Sequence, residues 1–457
     1  MPGASARDQP NVALFVTDDH GRWAAGCYGN PEVRTPTLDQ LASTGVRYDH
    51  AFTPTPVCSP ARASLATGLM ASQHGIHDHL REQEPGVGER DWLAGRRTLA
   101  EHFAAAGYRC LFVGKWHMGR SSQPQRGYHR WFSIARTGPH SGRERYFEDG
   151  RPAEITGFKA EVFTEQALRW LREPRDGRPF FLQVCHTSTH SPWRGHPERL
   201  AADYRSAGLT LPSTEIPTQS DGGPLRPDMR PEEVLAQYYA AATLVDESIG
   251  RLLDEIEAQG ERERTLVVYT ADHGLALGQH GVWGKGNGTA PKNMYEASIR
   301  VPLIWNHPGA LPAGCVEERF VTHCDLFCSL LDYAGIDAWR TDARLAGHSY
   351  VPALRGGAQP WEDVYFGEYG PLRCVRTRSR KLVRRYGHGR DELWDLAADP
   401  GECNNLIASP GHRAEVNALS ALLEAFFREH EDPRRSGLLF DPDSRGVGPE
   451  HLVPAGS

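Results

Sequence analysis

Residues 12–21 read Val12-Ala13-Leu14-Phe15-Val16-Thr17-Asp18-Asp19-His20-Gly21. Five apolar residues in succession predict a strand. Their continuity, in place of alternation, predicts a strand covered on both faces. The run ends on two carboxylates, a histidine and a glycine, a composition that suits a turn as well as a site. The pattern recurs. Arg109–Val113 leads into Gly114-Lys115-Trp116-His117. Phe180–Cys185 leads into His186 and then His190-Ser191-Pro192-Trp193. Leu266–Thr270 leads into Ala271-Asp272-His273-Gly274. Ligands of open α/β sheets sit beyond the carboxyl ends of strands. One such end is a turn as readily as a site; four together point to a site.

Working outward, helical patterns separate these runs, as in a sheet with crossover helices. Thr98 to Gly107 predicts a capped helix with Glu101 at the capping-box position, and Pro231 to Gly260 the longest helix. Leu303–Trp305 is a further strand. Residues 194–230, rich in Pro, Gly and Ser, read as an excursion. From about Gly347 short strands follow one another: Val364–Gly367, Cys374–Thr377, Lys381–Arg384 and Glu392–Leu396, then a helix near Ala414–Arg428. The expected organisation is a catalytic α/β domain over 1–346, a small C-terminal antiparallel subdomain over 347–431, and a tail over 432–457 that wraps the body or is disordered.

The chain has 457 residues, with 51 Lys and Arg against 58 Asp and Glu, a net charge of −7. With 39% hydrophobic and 24% charged residues it has the balance of a soluble globular protein. A mildly acidic chain is a poor general binder of nucleic acid. No apolar run approaches the ~20 residues of a membrane span. Residues 1–10 lack the pattern of a secretory signal, so a cytoplasmic location is expected. Nine cysteines without a paired spacing argue against a disulfide scaffold.

Asp18, Asp19 and Asp272 at one sheet edge would repel one another without a cation between them. Three carboxylates describe a hard-cation site, Ca²⁺ or Mg²⁺; His273 beside them leaves Mn²⁺ or Zn²⁺ open. The sharpest stretch is Thr55-Pro56-Val57-Cys58-Ser59-Pro60-Ala61-Arg62-Ala63-Ser64. Pro60 suits the first helical turn. Cys58 then stands at a helix N-terminus, where free N–H groups favour an anion, and Arg62 adds a fixed cation.

Cys58-Ser59-Pro60-Ala61-Arg62 resembles the C-x-P-x-R core of the type I sulfatases of the alkaline-phosphatase superfamily. The resemblance covers most of the chain: the Asp18-Asp19 strand end, Gly114-Lys115-Trp116-His117, Thr189-His190-Ser191-Pro192, Ala271-Asp272-His273-Gly274, Tyr295-Glu296 with Arg300-Val301-Pro302, and the closing Glu392-Leu393-Trp394-Asp395-Leu396 with Asp399-Pro400 and Asn405-Leu406. It implies the alkaline-phosphatase-like fold, a large mixed, mostly parallel sheet sandwiched by helices, and a sulfuric ester hydrolase. Cys58 would be oxidised to Cα-formylglycine by a formylglycine-generating enzyme. Its hydrate would attack sulfur and expel the alcohol, and reformation of the aldehyde would release sulfate. Asp18, Asp19, Asp272, His273 and the residue made from Cys58 would hold a divalent metal, Ca²⁺ first, with Mg²⁺ or Mn²⁺ as the other choices.

The resemblance makes Arg62 and Lys115 balance charge, His117 assist deprotonation of the diol, and His190 act as general acid, with His186 the second choice for that role. A further lysine is expected after the Asp272 strand. Lys285 has the right lead-in, but Gly286–Met294 looks inserted and contains Lys292, so both stay open. His74 and His77, in a stretch that runs on to His79, are expected to rim the pocket. Trp193, Trp116 and Trp283 are candidates for a sugar-stacking wall, against core packing as the plainer account. The substrate would be a small or carbohydrate sulfate ester, with a phosphonate monoester or phosphodiester as the alternative.

Overall fold

The computed structural model describes residues 9–84, 86–134, 137–174, 176–212, 221–222, 225 and 228–439. Parts of the 194–230 excursion, the first eight residues and the tail beyond 439 lie outside these.

Eleven strands form one sheet: β1 Asn11–Thr17, β2 Val46–Phe52, β3 Arg109–Gly114, β4 Arg130–Ile134, β5 Ser141–Glu148, β6 Arg151–Phe158, β7 Phe180–His186, β8 Thr265–Ala271, β9 Arg300–Val301, β10 Leu303–Asn306 and β11 Cys315–Thr322. Their order is β9-β2-β10-β8-β1-β7-β3-β4-β5-β6, with β11 paired to β2. The centre, β8-β1-β7-β3-β4, is parallel throughout. The four strands expected to end in polar residues are therefore β1, β3, β7 and β8, side by side in the middle of the sheet with their carboxyl ends on one edge. Leu303–Trp305 lies in β10, which runs antiparallel to β8 and β2.

The continuous apolar runs follow from a two-sided burial. Along β1, Val12, Leu14 and Val16 enter one core while Ala13 and Phe15 enter the other, as the period of two requires. The first core also takes Ala63 and Leu65 of the helix Cys58–Thr67, Phe103 of Leu99–Ala105 and Phe327 of His323–Tyr333. The second takes Phe163 and Trp170 of Lys159–Leu171 and Ile249 and Leu252 of Pro231–Ala258. Each buried Val, Leu, Ile or Phe among these contributes about 1.5–3 kcal/mol. The Thr98 cap is formed: its side chain accepts from Glu101 N, and the Glu101 carboxylate accepts from Thr98 N at 2.9 Å.

A second sheet is an antiparallel meander, β12 Tyr365–Tyr369, β13 Leu372–Arg376, β14 Arg380–Arg384 and β15 Glu392–Asp395. The helix Arg413–His430 lays Leu419, Leu423 and Phe427 against Val375, Leu382 and Leu393, a spacing of four that makes one apolar stripe. Beyond it the chain turns back over the body: Arg435 O accepts from His77 Nε2 at 2.7 Å, and Arg435 Nη1 donates to Gln73 O at 3.0 Å. Among the described residues no helix is long and apolar enough to cross a membrane.

Candidate active site

The helix that carries Cys58 begins at that residue, with Val57 extended before it, and ends at Gly68 in the left-handed conformation. Pro60 is in its first turn, where a missing N–H is harmless. Nearly every residue of this helix is buried, and it packs chiefly against the helix His323–Tyr333. Cys58 is 2% exposed.

Around the sulfur, Lys285 Nζ lies at 2.9 Å and His273 Nε2 at 3.3 Å. Ligand atoms of Asp18, Asp19, Cys58 and His273 all fall within 4.8 Å of one another. Asp272 stands beside this group: its Oδ1 accepts the N–H of Asp19 at 3.2 Å and of His273 at 2.9 Å, and its Oδ2 faces Arg62 Nη2 at 2.9 Å. Lys115 pairs with Asp18 Oδ2 at 2.7 Å, and Arg62 donates to Lys115 O at 2.8 Å. Lys285 pairs with Asp19 Oδ1 at 2.6 Å.

The donor set fits a cation. Asp18 Oδ1 and Asp272 Oδ2 are buried oxygens that make no hydrogen bond and meet only the edge of the Arg62 guanidinium among the described residues, at 3.4 and 2.9 Å. His273 donates from Nδ1 to Gly274 O at 2.9 Å, which aims Nε2 at Asp19, Asp272 and the sulfur. Anionic atoms facing one point are stable only with positive charge among them. The ionisations carry the same message. Burial opposes the charged form of His273, yet Asp272, Cys58 and Asp19 outweigh it and raise the ring to about 9. Burial pushes the Asp272 carboxyl up, with Asp18 adding to it. The Cys58 thiol is brought well below its ordinary range against burial, chiefly by Lys115 and Lys285.

Asp19 has φ 57°, a left-handed conformation uncommon outside glycine. Tyr238, from the long helix, holds it: its OH donates to Asp19 O at 2.8 Å and accepts from Gly21 N at 3.0 Å. This clamp has no local sequence signal, because its two halves are 219 residues apart.

Two histidines face the group from the cavity side. His117 donates through Nε2 to Leu80 O at 2.7 Å, which leaves Nδ1 without a proton and without a partner. Burial and Lys115 lower its pKa. His190 donates from Nδ1 to Ser191 O at 2.6 Å, and its Nε2 lies 4.0 Å from Asp19 Oδ2. Against burial, Asp19 raises its pKa. The two rings are thus shifted in opposite directions, His117 downward by burial and Lys115, and His190 upward by Asp19.

The cavity over these groups has a volume of about 620 Å³. Its walls include Asp19, Cys58, Lys115, His117, His190 and Lys285, with His79, Arg81, Trp193 and Trp283 further out. Several expected residues are elsewhere. His186 turns its ring toward Phe163, 6.2 Å between centroids, on the covered face of the sheet; parity along β7 puts it there. His74 is buried against Ser64 Oγ and the N–H of Ile76, and His77 against the C-terminal arm. Lys292 pairs with Asp78 at 2.6 Å, not with the group around Cys58. Trp116 packs in the core with Phe112 and Trp131. His79 lines the cavity where His74 and His77 were expected to.

The family described as Sulfatase matches residues 10–336, and that described as N-sulphoglucosamine sulphohydrolase, C-terminal, matches residues 278–429. An N-acetylglucosamine-6-O-sulfatase of Bacteroides thetaiotaomicron is 25% identical, over 97% of this chain and 91% of its own. A solved structure described as a complex with its substrate D-glucosamine-2-N,6-O-disulfate superimposes with a TM-score of 0.81 at 24% identity, covering 96% of this chain and all of that one. A phosphonate monoester hydrolase of Agrobacterium radiobacter shares the fold, with a TM-score of 0.75 at 22% identity over 92% of this chain and 96% of its own.

Proposed function

The chain belongs to the sulfatase family, and from that membership we propose that it releases sulfate from a sulfated carbohydrate, with a nucleophile made from Cys58. Support for the substrate class comes from the similar proteins named above and from the two tryptophans, Trp193 and Trp283, on the cavity wall. The domains read from the sequence, a catalytic unit over 1–346 and a small unit over 347–431, are retained in this proposal.

The observation that carries the reading is the convergence of Lys285, His273, His117 and His190 on one buried cysteine at a helix start. Asp18, Asp19, Asp272 and His273 would hold a divalent cation with the residue made from Cys58. An oxygen at position 58 in place of sulfur suits Ca²⁺, with Mg²⁺ and Mn²⁺ as the other candidates. When present, the formylglycine hydrate supplies the attacking oxygen and the cation supplies Lewis-acid stabilisation. Arg62, Lys115 and Lys285 offset the negative charge that gathers as sulfate enters. His117 accepts a proton at Nδ1 from the group at position 58. His190 gives its Nε2 proton to the departing alcohol oxygen. A formylglycine-generating enzyme is the maturation partner this requires.

Mass spectrometry of the peptide holding Cys58, after co-expression with such an enzyme, is the test. Conversion to the aldehyde with turnover of sulfate esters is expected. A peptide that stays a thiol in an active enzyme ends this mechanism. Cys58→Ala is expected to lose at least about 10³-fold in kcat with an unchanged circular-dichroism spectrum. Comparing kcat/KM on aryl sulfate and aryl phosphonate esters separates this reading from phosphonate hydrolysis.

A further inference from the structure

His79 reaches the cavity from a supported position. Its Nδ1 lies 3.1 Å from Asp78 Oδ1, and its backbone N–H donates to the same oxygen at 2.8 Å. Asp78 is buried and held by two groups from other parts of the chain: Tyr369 OH donates to Oδ1 at 2.7 Å, and Lys292 Nζ to Oδ2 at 2.6 Å. The Lys292 ammonium also lies 4.3 Å from the Tyr369 ring centroid. A buried carboxylate is costly to keep charged unless it is paired and hydrogen-bonded. Here a strand of the C-terminal sheet and the segment after Gly286 both supply partners. Its remaining partner is a ring on the cavity wall.

Arg81 lines the same wall. Between them Leu80 is buried, and its backbone is fixed at both ends: its N–H donates to Ser59 Oγ at 2.9 Å, and its carbonyl accepts from His117 Nε2. His79 and Arg81 each expose 36% of the side chain, so both are reachable from the cavity. Among the described residues Arg81 has Glu84 as its ionic partner, 3.2 Å away and itself 42% exposed, a contact that water weakens. The deeper cations are already committed, Lys115 to Asp18 and Lys285 to Asp19. Among the described residues lining the cavity, Asp19 is the only carboxylate. The outer wall therefore offers a guanidinium and a hydrogen-bonding imidazole, with no carboxylate among its described lining residues.

We propose that His79 and Arg81 form a second anion-binding subsite, so that the preferred substrate is a sulfated saccharide bearing another carboxylate or sulfate close to the ester being cleaved. Asp78 and Lys292 act through His79 and are positioning residues. The proposal rests on the sulfate-ester reading above.

The test compares kcat/KM on pairs of sugar sulfates that differ only in a second carboxylate or sulfate, drawn across the ring positions, with formylglycine-loaded enzyme. Wild type is expected to prefer the doubly anionic member by about tenfold or more, and His79→Ala and Arg81→Ala each to reduce that ratio by about tenfold. Asp78→Asn and Lys292→Met are expected to reduce it less, through KM for the doubly anionic member and not through kcat. A ratio unchanged in folded His79→Ala and Arg81→Ala, or a wild type that prefers the singly charged member, overturns the proposal alone. No turnover of any pair overturns the sulfate-ester reading, and the proposal with it.

Discussion

Two buried lysines organise two clusters of charge, and they are used differently. Lys381, on β14, donates to Met294 O at 2.8 Å and Glu296 Oε1 at 3.1 Å and pairs with Glu402. An ammonium has three protons, and this one has three acceptors. Arg376 closes the cluster on Glu296 at 3.2 Å, tying the small sheet to the helix Glu296–Ile299. Lys285 instead has Asp19 and Cys58 as partners and lines the reaction cavity. Around it Asp18 Oδ1 and Asp272 Oδ2 make no hydrogen bond and have the Arg62 guanidinium as their charged neighbour, at 3.4 and 2.9 Å. Charges that hold two parts of the fold together are saturated by one another. Charges that act on something else keep an open direction.

The largest test of this contrast is Lys285→Met. Losing a cation that faces the reacting group is expected to lower kcat by about 10²–10³-fold, with Tm within a few degrees of wild type. Steady-state kinetics and thermal melting measure both. A variant that melts early but turns over normally would move Lys285 into the structural class and erase the distinction.

Lys381→Met is the mirror experiment. It leaves Glu296 and Glu402 buried without their ammonium, a loss of about 3–5 kcal/mol. Tm should fall by several degrees, while kcat per folded molecule stays at the wild-type level. A fall in kcat with Tm preserved would contradict the assignment.

Chelation probes the open cluster alone. Adding EDTA should lower Tm, and Ca²⁺, Mg²⁺ or Mn²⁺ should restore it. A cation at a hundredfold excess over its Kd contributes about 2.7 kcal/mol. The same increment is expected in Lys381→Met, since separated sites add. A Tm indifferent to chelator and to all three cations breaks the reading of the Asp18 and Asp272 oxygens.

The same contrast separates what is legible in the sequence from what is not. The strands β1, β3, β7 and β8 are legible because two-sided burial writes them as continuous apolar runs, and their polar ends follow directly. β2 is not: Val46-Arg47-Tyr48-Asp49-His50-Ala51-Phe52 buries Val46, Tyr48, Ala51 and Phe52 around half-buried polar residues and reads as a mixed segment. The group around Cys58 is legible because each member follows its own strand or motif. The outer wall is not. His74, His77 and His79 are alike in sequence, and what buries His77 is a carbonyl 358 residues later. Lys285 and Lys292 are likewise separated by partners, Asp19 and Asp78, that spacing along the chain does not encode.

The smallest effect concerns pH, and it too follows from saturation. Burial favours the neutral form of both acids at the junction. For Glu296 the neighbouring Lys381, Arg376 and Arg300 outweigh burial and hold its pKa below 4.5. For Glu402 burial wins and pushes the pKa above 4.5, with Lys381 pulling against it. A folded-state pKa below the unfolded value means that folding sheds protons. The stability Glu296 contributes is therefore complete above about pH 4.5 and is lost as pH falls below it. Glu402 has the opposite sign: folding takes up protons, so its contribution declines as pH rises above about 4.5. Glu296→Gln should flatten the acid limb of a Tm-against-pH curve, and Glu402→Gln should flatten the decline on the other side. Sulfate release at neutral pH should change in neither, because no member of this cluster lines the reaction cavity. If Glu296→Gln leaves the acid limb intact, the pairing with Lys381 and Arg376 is not what holds the small sheet in place, and the contrast between a saturated junction and an open site loses its first term.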